Sequence, residues 1–190
     1  RRSAMPQPPD VIFIGEIRDR DRMSAALAYA MSGHLVVATL HATNSSHALN
    51  RVISFYPPET RQALFQDMSV AVKAIVSQRL VRSKRGGRVP SVEVLMNTRH
   101  IADLIERGDV QGIKEAMEQS LYPGSQTFEQ ALSRLYLDGT ISYDDAMTAA
   151  DSPTNLAWLI NQNSPTARVE GMQNEAVENR KRRPQADFTD

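Results

Sequence analysis

The stretch DVIFIGEIRD, residues Asp10 to Asp19, decides how the rest of the chain is read. Val11 to Ile14 is a short apolar run, rich in β-branched residues, that follows the breakers Pro8 and Pro9 and stops at Gly15 and Glu16. A strand buried on both faces reads this way. From Arg20 to Ser32 the apolar period changes to that of a helix, through Met23, Ala26, Leu27, Ala30 and Met31, with Asp19 as N-cap and Gly33 at the stop. Leu35 to Leu40 is a second apolar run. Residues 11–40 therefore predict a strand–helix–strand crossover, and with it a parallel sheet.

Further along, Asn44 or Ser45 caps a helix carrying Leu49, Val52, Ile53 and Tyr56 on one face, ended by Pro57 and Pro58. Helical spacing then runs from Glu59 to about Gln78. Leu80–Arg82, the glycines 86 and 87, and Val89–Met96 predict a hairpin, placed as an antiparallel edge of the same sheet. Beyond Asn97 the strand signals cease, and five short helices are predicted at about 99–107, 110–119, 128–137, 143–149 and 154–161. The methionines, Met23, Met31, Met68, Met96 and Met117 among them, read as core, and Trp158 as packing for the last helix.

The expected organisation is an α/β core over 1–97, a helical extension over 98–163, and a disordered tail over 164–190 that holds the basic run Arg180 to Arg183. Because the chain begins at Arg1 and enters a strand pattern almost at once, it is read as a piece of a longer protein.

Composition narrows the function classes. Lys plus Arg and Asp plus Glu both number 22 in 190 residues, so no global field favours nucleic acid, and no basic patch is interleaved with aromatics. With no cysteine, disulfides, thiolate metal sites and a cysteine nucleophile are excluded, and the pattern suits a reducing cytosol. No apolar run reaches the ~18 residues that span a bilayer. The four histidines include no i, i+4 pair with a supporting acid, and no nucleophile elbow supports a serine hydrolase.

The chemistry concentrates at two strand ends. Glu16 stands at the C-terminal end of the first strand, where open α/β sheets bind ligands. A carboxylate there holds Mg²⁺ through water or orients a water for attack on a γ-phosphate. On spacing alone it is equally the first polar residue after a strand. His41 follows the second strand and would face the same crevice, able to hydrogen-bond a phosphate oxygen; its alternative reading is a loop or cap histidine.

Residues 9–19, PDVIFIGEIRD, resemble the Walker B segment of the secretion traffic ATPases, and residues 33–41, GHLVVATLH, resemble their His box. The likeness continues through NRVISFYP at 50–57, VSQRL at 76–80 and Gly86-Gly87-Arg88, and covers roughly residues 1–161. Within that family it is nearest to the PilT/PilU-type retraction motors of type IV pili, and to the PilU branch over 127–132 and 141–159. At 98–105, TRHIADLI, the PilT type carries arginine where this chain has Ala102, which also favours the PilU branch.

The resemblance implies a partial RecA-like P-loop ATPase core followed by a C-terminal helical cluster. It implies ATP and Mg²⁺ as cofactors, with Glu16 as Walker B glutamate, Mg²⁺ held through water, and His41 as the His-box histidine. Arg18 and Arg51 become basic residues near the nucleotide or the subunit border. The implied partners are other subunits, in a homo-hexamer or in co-assembly with a paralogous motor, and an inner-membrane platform protein of the pilus. The implied location is the cytoplasm, at the periphery of the inner membrane. No GxxxxGK[ST] occurs, so the phosphate loop is not in these residues and the chain alone is expected to be inactive. Two other readings stand beside the motor: a non-catalytic ring-assembly module, and a type II secretion or pilus-extension ATPase. The second is weakened by the absence of the cysteines that such relatives carry after the His box.

Overall fold

In the computed structural model, which describes residues 10–164, the crossover forms as expected: strand β1 (Val11–Glu16), helix α1 (Arg20–Met31) and strand β2 (Leu35–Thr39). The two strands pair in parallel, Val11 with Leu35 through Ile14 with Ala38. The register then shifts, so that Glu16 pairs with Thr39 and Gly15 is the extra residue of a bulge. Asp19 caps α1 by accepting from the Arg22 N–H at 2.9 Å.

One expectation fails on this sheet. Ile14 and Val36 pack against the core, but Val11, Phe13, Leu35 and Val37 are 44–70% exposed. The strands are covered on one face only, because no described element lies over the other. The apolar runs that read as doubly buried are therefore half-buried strands with an apolar outer face.

Helix α2 (Ser45–Ser54) is capped by Asn44, whose side chain accepts from the His47 N–H, and a single 3-10 turn, Pro58–Thr60, leads into α3 (Arg61–Ala71). The helix predicted to reach Gln78 stops seven residues early. Val72 turns extended, and the Asn97 side-chain amide donates to the carbonyls of Ser69 and Val72, satisfying the helix end from outside. Strand β3 (Ala74–Arg82) takes the residues that follow, including the β-branched Ile75 and Val76. It pairs with β4 (Arg88–Met96), and the five-residue connection makes the pair an antiparallel hairpin. The hairpin is a separate two-stranded sheet and not, as expected, an edge of the β1–β2 sheet.

The remaining helices are α4 (Arg99–Glu106), α5 (Val110–Glu118), α6 (Phe128–Leu137), α7 (Tyr143–Ala149) and α8 (Pro153–Asn163). Gly108 links α4 to α5 at φ +69°, and a Cβ there would lie 2.7 Å from a ring carbon of Phe65, so only glycine fits both the turn and its neighbour.

Two compact units result. One holds residues through Leu80 together with Pro90–Thr127; the other holds Val81–Val89 together with residues from Phe128 onward. Helices α4 and α5 pack on α3 and α2, so a boundary drawn at 97/98 falls inside the first unit. The first core gathers Leu27, Leu49, Leu64, Met68, Leu95 and Ile113, each contributing about 1.5–3 kcal/mol by burial. The second gathers Phe128, Leu132, Ile141, Ala146 and Leu156, all with no exposed surface.

Met23, Met68 and Met117 are buried, whereas Met31 is 50% exposed. Trp158, expected to pack α8, is 58% exposed and turns outward. No described helix is long and apolar enough to cross a membrane. The tail expected over 164–190 lies, apart from Ser164, outside the described residues.

Candidate functional site

The ends of the two parallel strands bring Glu16 and His41 together. Glu16 closes β1, and its side chain is 20% exposed. His41 lies two residues past β2 and is 86% exposed; its Nε2 is 2.9 Å from Glu16 Oε1, the distance of a hydrogen bond to a carboxylate. The other carboxyl oxygen is taken by Arg18, whose Nε donates at 2.5 Å and whose Nη2 forms an ion pair with the same atom. Arg22 reaches back from α1 to donate to the Glu16 carbonyl at 3.0 Å.

The backbone beneath the carboxyl is fixed as well. The Ile17 N–H donates to the Thr39 carbonyl at 2.9 Å, and the Thr39 hydroxyl donates to the Gly15 carbonyl. The bulge at Gly15 is thus held from β2. Nothing lies within 4 Å of where a Gly15 Cβ would be, so the glycine leaves open space beside the strand end.

The hydrogen bond from Arg18 holds the Glu16 carboxyl below the usual carboxylate range; burial opposes it, and electrostatic attraction to Arg18, His41 and Arg22 adds smaller lowering effects. The same bond raises the Arg18 guanidinium above its ordinary value. Glu16 is therefore a committed anion at neutral pH, and both of its side-chain partners are largely exposed. Replacing either contact by water or a hydrated cation uncovers little surface. Among the described residues no group of three or more His, Asp or Glu is placed to hold a metal ion directly.

Arg51 stands elsewhere. It lies on α2 with its guanidinium 5.6 Å from the centre of the Phe55 ring, and the structure gives it no hydrogen bond to Glu16 or His41.

Two residues that the sequence reading did not single out support the loop carrying His41. Glu93, on β4, is 7% exposed and accepts through Oε1 from both the N–H and the hydroxyl of Ser45 at 2.7 Å. Arg79, on β3, donates from Nη2 to the Thr43 carbonyl at 3.2 Å. Glu93 had a signal: Ser91, Glu93 and Leu95 alternate with Val92, Val94 and Met96, and an acid on the inward parity of a strand is conspicuous.

Comparison with known proteins adds to this geometry. Residues 1–147 match the family model described as Type II/IV secretion system protein. The chain is 46% identical over 160 residues to the type IV pilus ATPase PilU of Pseudomonas aeruginosa, covering 84% of this chain and 42% of that protein. It is 34% identical over 154 residues to the type IV pilus retraction ATPase PilT of the same organism, covering 81% and 45%. Of the solved structures, that of the pilus retraction motor PilT with bound ADP matches with a TM-score of 0.70 at 35% identity, over 77% of this chain and 41% of that one. The ATPase DotB of Legionella pneumophila matches with a TM-score of 0.64 at 26% identity, over 74% and 38%. The chain thus spans less than half the length of each of these relatives.

Proposed function

Since the chain belongs to the type II/IV secretion system protein family, we propose that it supplies one wall of the nucleotide site in an ATP-driven motor subunit for type IV pilus retraction, the machinery of twitching motility. One observation carries the reading: an ionised carboxyl at the end of one parallel strand, bonded to a histidine from the end of the next and to an arginine two residues on.

In this reading Glu16 orients the attacking water and accepts from it, and its charge stabilises the cationic surroundings of the transferring group. Arg18 holds the Glu16 carboxyl in place until nucleotide arrives. His41, exposed and within reach of the carboxyl, exchanges its Glu16 contact for a phosphate oxygen and so reports occupancy of the site. Arg51 acts at the border with a neighbouring subunit. A single carboxyl with exchangeable partners suits a hydrated Mg²⁺ held through water more than a cation caged by protein. Bound Mg²⁺–ATP supplies the γ-phosphoryl group and neutralises the charge that develops on it. The 190 residues hold no GxxxxGK[ST], so cradling of the phosphates is assigned to residues outside this chain.

The assembly we assign is a hexamer, of this chain's parent alone or with a paralogous motor, working in the cytoplasm against a pilus platform protein at the inner membrane. Higher identity to PilU than to PilT, 46% against 34%, and Ala102 on α4 favour the PilU-type role.

Glu16→Gln in the native protein that carries this chain tests the assignment. Mg²⁺-dependent ATP turnover should fall about 10²–10³-fold while ATP binding changes less than about threefold, because the change removes a charge needed at the transition state and no phosphate contact. Turnover within twofold of the parent would remove Glu16 from the mechanism.

A further inference from the structure

We propose that Glu93 and Arg79 are positioning residues which clamp the loop bearing His41 and so set the Glu16–His41 contact, an inference whose functional half rests on the nucleotide-site reading above.

His41 cannot hold its own place. It is 86% exposed and, among the described residues, is bonded through its side chain to Glu16, so its position depends on how the loop Leu40–Asn44 is fixed at its two ends. The upstream end is tied to β1 through the Ile17 N–H and the Thr39 carbonyl. The downstream end is tied to the hairpin. Ser45, the first residue of α2 and 1% exposed, gives both its N–H and its hydroxyl to Glu93 Oε1 at 2.7 Å, across 48 residues of sequence. Two positions earlier, the carbonyl of Thr43 accepts from Arg79.

A buried carboxyl is not a default choice for this spot. On β4 it takes the inward parity shared with Leu95, where an apolar side chain would pack without any desolvation penalty. What an apolar residue cannot do is accept two bonds from the first residue of a helix and fix its starting position. The pair Arg79 and Glu93 thus grips the loop from two strands, through its backbone and through the helix start, while leaving the His41 side chain exposed to meet a ligand.

Hydrogen–deuterium exchange on the native protein carrying this chain, read over residues 40–48 beside Mg²⁺-dependent ATP turnover, tests the clamp. Glu93→Gln keeps the shape and replaces the carboxyl by an amide. It should speed exchange at Ala42–His47 about tenfold and leave α1 and residues 128–163 unchanged. Turnover should fall about tenfold with KM for ATP within twofold, since the histidine is displaced and the phosphate contacts are not. Arg79→Ala, which removes a half-buried side chain that is not part of the hydrophobic core, should speed exchange over the same stretch about threefold.

Unchanged exchange at 42–47 in both variants would overturn the clamp. So would uniformly faster exchange across residues 10–80 in Glu93→Gln with no effect of Arg79→Ala, the mark of a merely structural glutamate. A loosened loop with undiminished kcat would overturn the positioning role. If the parent itself shows no Mg²⁺-dependent turnover, the proposed function falls, and the exchange data still decide the clamp.

Discussion

The two units of this chain finish their hydrophobic work to different degrees. In the second, Phe128, Leu132, Ile141, Ala146 and Leu156 are fully buried, and even the acid Glu129, 2% exposed, is turned to use by accepting from the Ser152 N–H at 2.8 Å. In the first, helices α1 to α5 bury a core of comparable quality, yet the β1–β2 sheet leaves Phe13 70% exposed and Val11, Leu35 and Val37 about half so. A closed core is complete in its own residues. An apolar strand face left open is a surface that water penalises. The candidate site stands on the open sheet, at the ends of the same two strands.

The sharpest way to break this contrast is a pair of phenylalanine deletions. Phe128→Ala should cost the second unit about 3–5 kcal/mol, read as a lowered urea midpoint from the fluorescence of Trp158, the only tryptophan in the chain. Phe13→Ala should change stability by less than about 0.5 kcal/mol, because most of its ring is already in water. Equal losses would mean that the first sheet is as closed as the second core.

Next in size, Glu129→Ala leaves the Ser152 N–H without its acceptor and should cost about 1–3 kcal/mol by the same fluorescence assay. A cost below 0.5 kcal/mol would show that this buried acid is incidental to the closure of its unit.

On the open side the expected effects are association and charge rather than folding energy. Phe13→Lys should reduce concentration-dependent light scattering of the isolated chain, because a charge on an exposed apolar strand face opposes edge and face pairing. Scattering that persists unchanged would place the sticky surface elsewhere.

The smallest effect is at Glu16. Its pKa is lowered in the folded chain, so the Arg18 contact adds stability above the ordinary carboxylate range, and that contribution disappears as pH falls through the lowered value. Carboxyl ¹³C shifts should show Glu16 titrating below an ordinary glutamate, and Arg18→Gln should move the midpoint upward. The melting temperature should hardly change, since the pair is exposed. A midpoint unmoved by Arg18→Gln would assign the shift to another group.

The sequence made local features legible and left tertiary ones hidden. The crossover, the caps at Asp19 and Asn44, and the helices after Asn97 are written in period and punctuation, and they formed within a residue or two. The end of α3 was not legible, because what stops it is an amide from Asn97, 25 residues away. Nor was the open sheet face: Val11-Ile-Phe-Ile14 reads the same whether one side or both are covered. At the site, Glu16 and His41 could be paired in thought from their matching places after two strands. That Arg18 takes the second oxygen of the same carboxyl, and that Glu93 accepts from Ser45, depended on distances that spacing does not encode.

The bulge at Gly15 bears on how this chain can vary over evolutionary time. Along β1 exposure alternates residue by residue, and the single shift in pairing at Gly15 sets which side of the sheet receives the carboxyl of position 16. Substitutions at Val11 or Phe13 leave that parity untouched. An insertion or deletion of one codon anywhere between Val11 and Glu16 inverts it, sending the acid to the wrong side while preserving every residue type in the motif. Length, more than identity, is the inherited quantity in this segment. Lineages that keep the chemistry should show freely exchanged aliphatics there and no gaps.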